Sequence, residues 1–211
     1  MKKRRDEEVF FDRLKTHRMI ASIKNPKQIE TALSLRNQLS GVFLLTGHIG
    51  VIKGYVDLFK AHHVPVFLHL EKIGGLSTDC YGLEYLAKAI QPTGIITTKT
   101  NVVKNVKKMG LITIQRFFLV DTEVLDNMAK SLEQVEPDII EVMPARIPQM
   151  IETVKSFTSV PIISGGLLSA RSETLECIRY GATAVSSSKP ELWRETLSSI
   201  DANHRDIALN C

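Results

Sequence analysis

Short apolar segments rich in Val, Ile and Phe alternate with amphipathic segments from residue 18 onward. Runs of this length bounded by turn residues are typical of buried strands. The pattern predicts strands at Met19–Ile23, Val42–Thr46, Val64–Leu70, Gly94–Thr98, Leu111–Val120, Asp138–Met143, Val160–Ser164 and Ala182–Ser186. Continuous apolar strands favour a parallel sheet that is covered by helices.

Residues typical of helix ends lie between these strands. Asn101 is predicted to cap a helix over Val102–Met109, which Gly110 ends. Further helix starts are predicted at Asn25-Pro26, Asp121 and Lys189-Pro190, and a further stop at Gly181. The chain therefore repeats a strand–helix unit without a break in composition.

Eight such units predict a closed (β/α)8 barrel of the TIM type, with an open doubly wound sheet as the alternative. A chain of 211 residues is small for this barrel, so the loops and helices must be short. We expect residues 18–211 to form one barrel domain. Residues 1–17 precede the first strand and are expected to form an N-terminal arm or an extra helix.

Composition narrows the class of protein. The formal net charge of +4 permits an anionic partner without requiring one. Cys80, Cys177 and Cys211 are widely spaced and form no disulfide or metal-ligand pattern, which favours a reducing compartment. No apolar run reaches the roughly 18 residues of a membrane helix. Asp12 and Arg13 interrupt the segment that follows the basic opening MKKRR, so no signal peptide is predicted. We expect a cytoplasmic protein.

The last two strands end in small residues, within PIISGGL and GATAVSSSKPELW. Exposed backbone N–H groups and serine hydroxyls in such turns can surround a phosphate. Barrels of this type often bind phosphate at the loops after strands seven and eight. We therefore predict a phosphate site formed by Gly165, Gly166, Ser186, Ser187 and Ser188. The alternative is a tight turn in the first segment and a helix-capping cluster in the second.

Two polar residues on other strands are candidates for the rest of a ligand site. Glu141 lies inside the apolar run IIEVM, where a carboxylate is costly to bury unless it accepts hydrogen bonds. We predict that Glu141 accepts hydrogen bonds from ligand hydroxyls and that His69, at the end of strand three, donates one. An internal ion pair of Glu141 with Arg116 or Lys99 is the alternative, and for His69 it is a structural hydrogen bond.

The segment KTNVVKNVKK contains no acidic residue. Lys104, Lys107 and Lys108 share one helical face, and Lys99 lies just before it. Such a face is most often simply exposed to solvent. The more specific interpretation is that it binds the phosphate backbone of an RNA. On that interpretation Lys99, Lys104, Lys107, Lys108 and Arg116 are the candidate RNA-binding residues. One tryptophan and 6% aromatic residues give no evident platform for single-stranded bases.

Several of these segments resemble the glycerol uptake operon antiterminators. The resemblance is carried by ITTKTNVVKNVKKMGLITIQRFFLVDT, PDIIEVMPARIP, VPIISGGL and GATAVSSSKPELW, in this order, and by HLEKIGGLSTDCYG. It covers about residues 19 to 193 and implies a bacterial regulator with a barrel fold. Such a regulator binds glycerol 3-phosphate as its effector, without a cofactor or metal. It then binds the leader mRNA of a glycerol-catabolic operon, so that transcription passes a terminator. The resemblance leaves the oligomeric state open, including a homo-oligomer.

The sequence departs from the family pattern at three positions. Glu71 stands where aspartate is expected after the histidine, and Ala145 stands where glycine usually follows the proline. Ser169 replaces a residue that is basic in some members. The longer Glu71 and the methyl group of Ala145 are expected to reshape the polyol pocket.

A phosphosugar enzyme, such as an isomerase, synthase or lyase, is the competing function. His69 and Glu141 would supply the two titratable groups that general acid–base catalysis requires. Lys99 is a candidate for a Schiff-base lysine. The motifs that mark the usual enzyme families are absent from the sequence, which favours the regulator.

Overall fold

The computed structural model describes residues 2–194 and residue 197, with side chains from residue 7 onward. Eight parallel strands form a closed barrel in chain order, and β8 pairs with β1. The strands are β1 (Met19–Ile23), β2 (Gly41–Leu44), β3 (Val66–His69), β4 (Gly94–Thr97), β5 (Ile112–Phe118), β6 (Ile139–Met143), β7 (Ile162–Gly165) and β8 (Ala184–Ser187). The predicted (β/α)8 barrel is confirmed, and the open sheet is excluded.

Helices precede, connect and follow the strands. They are α1 (Lys2–His17), α2 (Ile29–Ser34), α3 (Ile49–Ala61), α4 (Cys80–Tyr85), α5 (Thr100–Lys108), α6 (Glu123–Gln134), α7 (Gln149–Lys155), α8 (Arg171–Arg179) and α9 (Pro190–Trp193). Short 3-10 helices lie at Pro26–Gln28, Arg36–Gln38 and Leu70–Lys72, and a π-helical turn, Leu86–Ile90, extends α4.

The helix ends follow the predicted residues with one clear exception. Asn101 does not cap α5, because the helix begins at Thr100, two residues earlier than predicted, and Lys99 stands at the N-cap without a side-chain hydrogen bond. Gly110 and Gly181 have φ angles of +69° and +97°, a left-handed conformation that favours glycine and ends a helix. Asp121 accepts a hydrogen bond from the Val124 N–H at the start of α6.

The strands separate two apolar layers. Every strand contributes to a cluster inside the barrel, formed by Ile20, Phe43, Phe67, Ile96, Ile112, Ile114, Ile139, Ile163 and Ala184. A larger cluster packs the opposite faces of the strands against the helices. Successive side chains on a strand point to opposite faces. Residues two positions beyond the inner cluster therefore also point into the barrel, at its carboxyl-terminal end.

Helix α1 closes the other end of the barrel. Phe10 joins the inner cluster, and its ring centroid lies 4.5 Å from that of Phe67. The Arg13 guanidinium donates to the carbonyl oxygen of Leu39 over 2.7 Å and also to that of Arg36, just before β2. The opposite end of the barrel is open. It is formed by the carboxyl ends of the strands and the loops that follow them, and it is called the mouth from here on.

Candidate ligand site at the mouth of the barrel

The inward-facing residues change from apolar to polar at the mouth. Arg116 follows Ile114 by two positions on β5, and Glu141 follows Ile139 by two on β6. The same spacing brings in Ser22 on β1, His69 on β3, Gly165 on β7 and Ser186 on β8. A polar layer thus lies on top of the apolar plug, where barrels of this architecture bind their ligands.

A buried ion pair occupies the centre of this layer. Arg116 and Glu141 are register partners on β5 and β6, and they are 4% and 0% exposed. Arg116 Nε donates to Glu141 Oε2 over 2.7 Å, and Ser186 Oγ donates to Oε1 over 2.7 Å. The ion pair named above as the alternative for Glu141 is therefore present. Each carboxylate oxygen keeps capacity for a further hydrogen bond.

Arg116 is also one of the predicted RNA-binding residues. That prediction is wrong, because the side chain is enclosed by the barrel and lies in the polar layer. Its second terminal nitrogen, Nη2, is buried and has no hydrogen-bond partner among the described residues. A buried guanidinium N–H without a partner loses its hydration without compensation, so Nη2 is a donor suited to an incoming acceptor.

Gly165 makes room for this network. A Cβ atom at this position would lie 2.2 Å from Ser186 Oγ and 3.0 Å from Glu141 Oε1. The glycine predicted for a phosphate turn thus also lets β7 pass the buried carboxylate. At the next residue, Gly166 has a φ of +81°, and the φ of +60° at Leu167 is uncommon for a bulky side chain. Arg18, His63 and Gln91 adopt a similar φ without lining the cavity described below, so this conformation does not by itself mark a ligand site.

A cavity of about 60 Å³ opens beside the ion pair. It is lined by Ser22, Lys24, Leu45, Arg116, Met143, Gly166, Leu167, Leu168, Ser186, Ser187 and Ser188. A cavity of this volume accommodates about four water-sized groups, comparable with a phosphate. Four of the five residues predicted for the phosphate site line it, and the fifth, Gly165, lies against Ser186 and Glu141.

The loop after β8 is held in place by hydrogen bonds through its backbone. The Trp193 indole N–H donates to the Ser187 carbonyl oxygen over 2.8 Å, and Gln28 Nε2 donates to that of Ser188 over 3.0 Å. Ser187 Oγ accepts the Lys189 N–H over 3.2 Å, as in a helix-capping turn. The capping alternative is thus met at Ser187, while all three serines still face the cavity.

Sequence reasoning missed Ser22 and Lys24 as lining residues. Ser22 lies near the end of β1 and Lys24 directly follows the strand, and Ala21 is the register partner of Ser187 where β1 and β8 close the barrel. The predicted closure of the barrel could have indicated these two residues, because it makes the first strand a neighbour of the eighth.

His69 and Glu71 form a separate polar pair at the mouth. His69 is buried, and its Nδ1 lies 3.1 Å from Glu71 Oε2. The Thr97 hydroxyl donates to the other carboxylate oxygen of Glu71. Burial raises the pKa of Glu71, but the interactions with His69 and Thr97 outweigh it and hold the pKa at about 2. The contact with Glu71 does not meet hydrogen-bond geometry, so Nδ1 of the buried His69 has no hydrogen-bond partner among the described residues. His69 does not line the cavity.

The four predicted RNA-binding lysines are all exposed. Lys107 Nζ lies 3.3 Å from Asp138 Oδ1 and donates to the Glu136 carbonyl oxygen, so part of its charge is compensated within the protein. Lys99, Lys104 and Lys108 form no ion pair with a described carboxylate. Lys99 does not line the cavity, so the geometry lends no support to a Schiff base at this lysine.

Within residues 2–194, no helix is long and apolar enough to cross a bilayer. Over the same part of the chain, no group of three His, Cys, Asp or Glu residues is placed to hold a metal ion.

Comparison with known proteins shows the family that the chain matches. The profile of the family described as glycerol-3-phosphate responsive antiterminator matches residues 19–193. The structure is similar to that of the glycerol uptake operon antiterminator regulatory protein from Listeria monocytogenes, with a TM-score of 0.79 and 31% identity over 83% of this chain and 94% of that one. An antiterminator-related protein from Thermotoga maritima gives a TM-score of 0.74 at 24% identity, over 84% and 98% of the two chains.

Among curated proteins, the chain is similar to the uncharacterized protein YgcP of Escherichia coli K12. The two are 28% identical over 180 residues, which are 85% of this chain and 93% of YgcP.

Proposed function

The chain belongs to the glycerol-3-phosphate responsive antiterminator family, and from this premise we propose that it binds glycerol 3-phosphate in the mouth cavity and then binds the leader mRNA of a glycerol-catabolic operon. It would act in the cytoplasm and allow transcription to pass a terminator in that leader. The effector is the only small molecule that this proposal requires.

The observation that carries the ligand proposal is the free Nη2 of Arg116. Arg116 Nε is occupied by Glu141, whereas Nη2 is buried without a partner at a cavity of phosphate size. Lys24 lines the same cavity and adds a positive charge at its open side. We assign the phosphate to this end, with Gly166 and the three serines as neutral donors.

The glycerol hydroxyls are assigned to the neighbourhood of Glu141. The negative charge of this carboxylate disfavours phosphate, and its oxygens still accept hydrogen bonds from hydroxyl groups. His69 is retained as a second candidate for a contact with a ligand hydroxyl, at the mouth but outside the lining of the cavity.

Calorimetry with glycerol 3-phosphate and with glycerol tests the ligand site. We expect the phosphate ester to bind far more tightly, because most of the fixed donors address phosphate. Lys24→Ala is expected to weaken the ester about tenfold or more, the usual effect of losing a charged hydrogen bond. Lys27→Ala is the matched control, since Lys27 is also exposed but does not line the cavity. Equal affinities for glycerol and its phosphate would contradict the assignment.

We further propose that the protein is a regulator and not an enzyme. The candidate acid–base pair is engaged internally, His69 with Glu71 and Glu141 with Arg116 and Ser186. NMR should therefore find glycerol 3-phosphate and triose phosphates unchanged after incubation. Borohydride reduction with dihydroxyacetone phosphate should leave Lys99 unlabelled. A covalent adduct at Lys99 or catalysed isomerisation would favour the phosphosugar enzyme.

The RNA contacts are proposed along α5. Lys99, Lys104, Lys107 and Lys108 give this side of the barrel a run of exposed cations that begins at the mouth. Phosphate contacts of this kind position an RNA without reading its sequence. A homo-oligomer is compatible with these assignments and is not required by them.

A further inference from the structure

An aromatic side chain stands exposed beside the ligand cavity. Phe118 is 50% exposed at the end of β5, two residues beyond Arg116. The intervening Phe117 packs against the outer apolar cluster, so Phe118 and Arg116 lie on the same, inward face of the strand. A single exposed apolar side chain is normal on a protein surface, so the neighbours of Phe118 decide what this ring indicates.

The neighbours of Phe118 extend this surface. Val120 is 77% exposed, and Lys99 lies two residues beyond the end of the adjacent strand β4. Because β4 and β5 pair up to Thr97 and Gln115, Lys99 and Phe118 follow neighbouring strands at the mouth. Helix α5 begins at the same point and runs away from the mouth, so Lys99 connects the aromatic ring to the lysines along this helix.

Exposed lysines also follow other strands at the mouth. Those without an ion pair to any described carboxylate are Lys24, Lys72, Lys99 and Lys189. Carboxylates lie there as well: Glu173 is paired with Arg146, whereas the exposed Asp121 and Glu123, which follow β5, form no ion pair with a described cation. Lys99 and the lysines of α5, which no acidic residue interrupts in the sequence, are therefore the charges that favour a polyanion as the partner of this surface.

We infer that the RNA crosses the mouth of the barrel, with Phe118 stacked on an RNA base and Lys99 beside it on a phosphate. This inference rests on the proposed RNA-binding function and assigns its surface. Stacking on an aromatic ring is the usual way in which proteins hold unpaired bases. The sequence showed no such platform, because one exposed phenylalanine at a strand end carries no signal in the composition.

An RNA at this place covers the effector cavity. A bound ligand then contacts Arg116 two residues from the stacking ring, so RNA and effector meet on β5. Covering the cavity should slow the dissociation of glycerol 3-phosphate. By linkage, the effector must then tighten RNA binding by the same factor as the RNA tightens effector binding.

Replacing Phe118 tests the inference with a leader transcript from upstream of glycerol-catabolic genes. Phe118→Ala should weaken binding of this RNA in the presence of effector by about 5- to 150-fold, the range expected for one stacked base. The salt dependence should not change, because no charge is removed, whereas Lys99→Ala should lower the slope by about 0.7. Phe157→Ala is the matched control, since Phe157 is also partly exposed but precedes β7 at the opposite end of the barrel.

Fluorescence provides a second test of RNA contact at Phe118 that does not depend on a measured RNA affinity. The indole introduced by Phe118→Trp should be quenched when the RNA binds, while Phe157→Trp should show no change. Trp193 is fully buried and supplies a constant background.

Wild-type-like RNA binding by Phe118→Ala, or an unquenched indole at saturation, would overturn the inference and leave the proposed function standing. No RNA binding by the wild type would overturn both. If sedimentation shows that Phe118→Ala turns a dimer into a monomer, the surface belongs to a second copy of the chain, and the inference is also overturned.

Discussion

Arg116 and Glu141 face each other across β5 and β6 and form an ion pair of 2.7 Å that is almost completely excluded from solvent. Removing both charges from water is costly, and their attraction offsets this cost only while both partners are present. The pair therefore links the stability of the barrel to the geometry of the ligand cavity, because the same guanidinium also presents Nη2.

This arrangement predicts a non-additive pair of mutations. Arg116→Met or Glu141→Met alone should lower the free energy of unfolding by about 3–5 kcal/mol, because each leaves an unpaired buried charge. The double variant should recover most of that loss, since a well-packed apolar pair can replace a buried ion pair. Urea denaturation measures both effects. Additive losses would show that the two charges do not depend on each other.

The double variant also separates stability from ligand binding. It should fold but fail to bind glycerol 3-phosphate in calorimetry, because Nη2 is gone. Wild-type affinity in this variant would remove Arg116 from the ligand site.

Two glycines should respond in opposite directions to the same substitution. Gly165→Ala should destabilise the protein by about 1–3 kcal/mol, since its methyl group would displace Ser186 Oγ from Glu141. Gly54→Ala, on the exposed side of α3 with nothing within 4 Å, should stabilise it by about 0.5–1 kcal/mol. Thermal or urea unfolding checks both values. If Gly165→Ala leaves the free energy of unfolding unchanged, the hydrogen bonds around Glu141 can shift to accommodate a Cβ atom.

Glu71 predicts a specific acid dependence of stability. Its pKa in the folded protein is held at about 2, below the ordinary value of 4.5. A lowered carboxyl pKa contributes stability that is present above the ordinary pKa and is lost as the pH falls through the folded one. The difference in free energy of unfolding between the wild type and Glu71→Gln should therefore be constant above about pH 5 and shrink between about pH 4.5 and 2. A difference that does not change down to pH 2 would contradict the bonded role of Glu71.

The lysine face predicts a salt dependence of RNA binding. Each phosphate contact to single-stranded RNA contributes about −0.7 to the slope of log affinity against log salt. Replacing Lys104, Lys107 and Lys108 by alanine should flatten the slope by up to about 2 and leave effector affinity unchanged. Lys107 should contribute less than Lys104, because it already contacts Asp138 and Glu136.

Lys53→Ala with Lys88→Ala is the control for this series, since both lysines are exposed but lie in ion pairs on other helices. A slope that stays the same in the triple variant would remove α5 from the RNA surface.

The alternation of apolar and polar segments was sufficient to predict the barrel and the position of its strands. Parallel strands buried on both faces appear in the sequence as short continuous runs, and the number of runs fixed the closed form. The paired turns of small residues lie at the end of the barrel where the cavity opens, because the carboxyl ends of all strands meet there.

Side-chain direction limited the prediction of individual residues. Gln115 and Arg116 are adjacent and both polar, but the pleat of β5 sends them to opposite faces. Arg116 enters the barrel, whereas Gln115 donates to Thr100 and Ser131 between the helices. Within the ten-residue run from which β5 was predicted, the sequence did not show which of the two points inward.

Leader-RNA affinity with and without effector tests the central claim most directly. Filter binding should give a Kd at least about fivefold lower in saturating glycerol 3-phosphate than without it, the lower end of typical allosteric coupling. Glycerol at the same concentration should have no such effect, and a scrambled RNA of equal length should bind weakly in both conditions. If the Kd for the leader is the same with and without glycerol 3-phosphate, the protein is not an effector-controlled RNA-binding regulator.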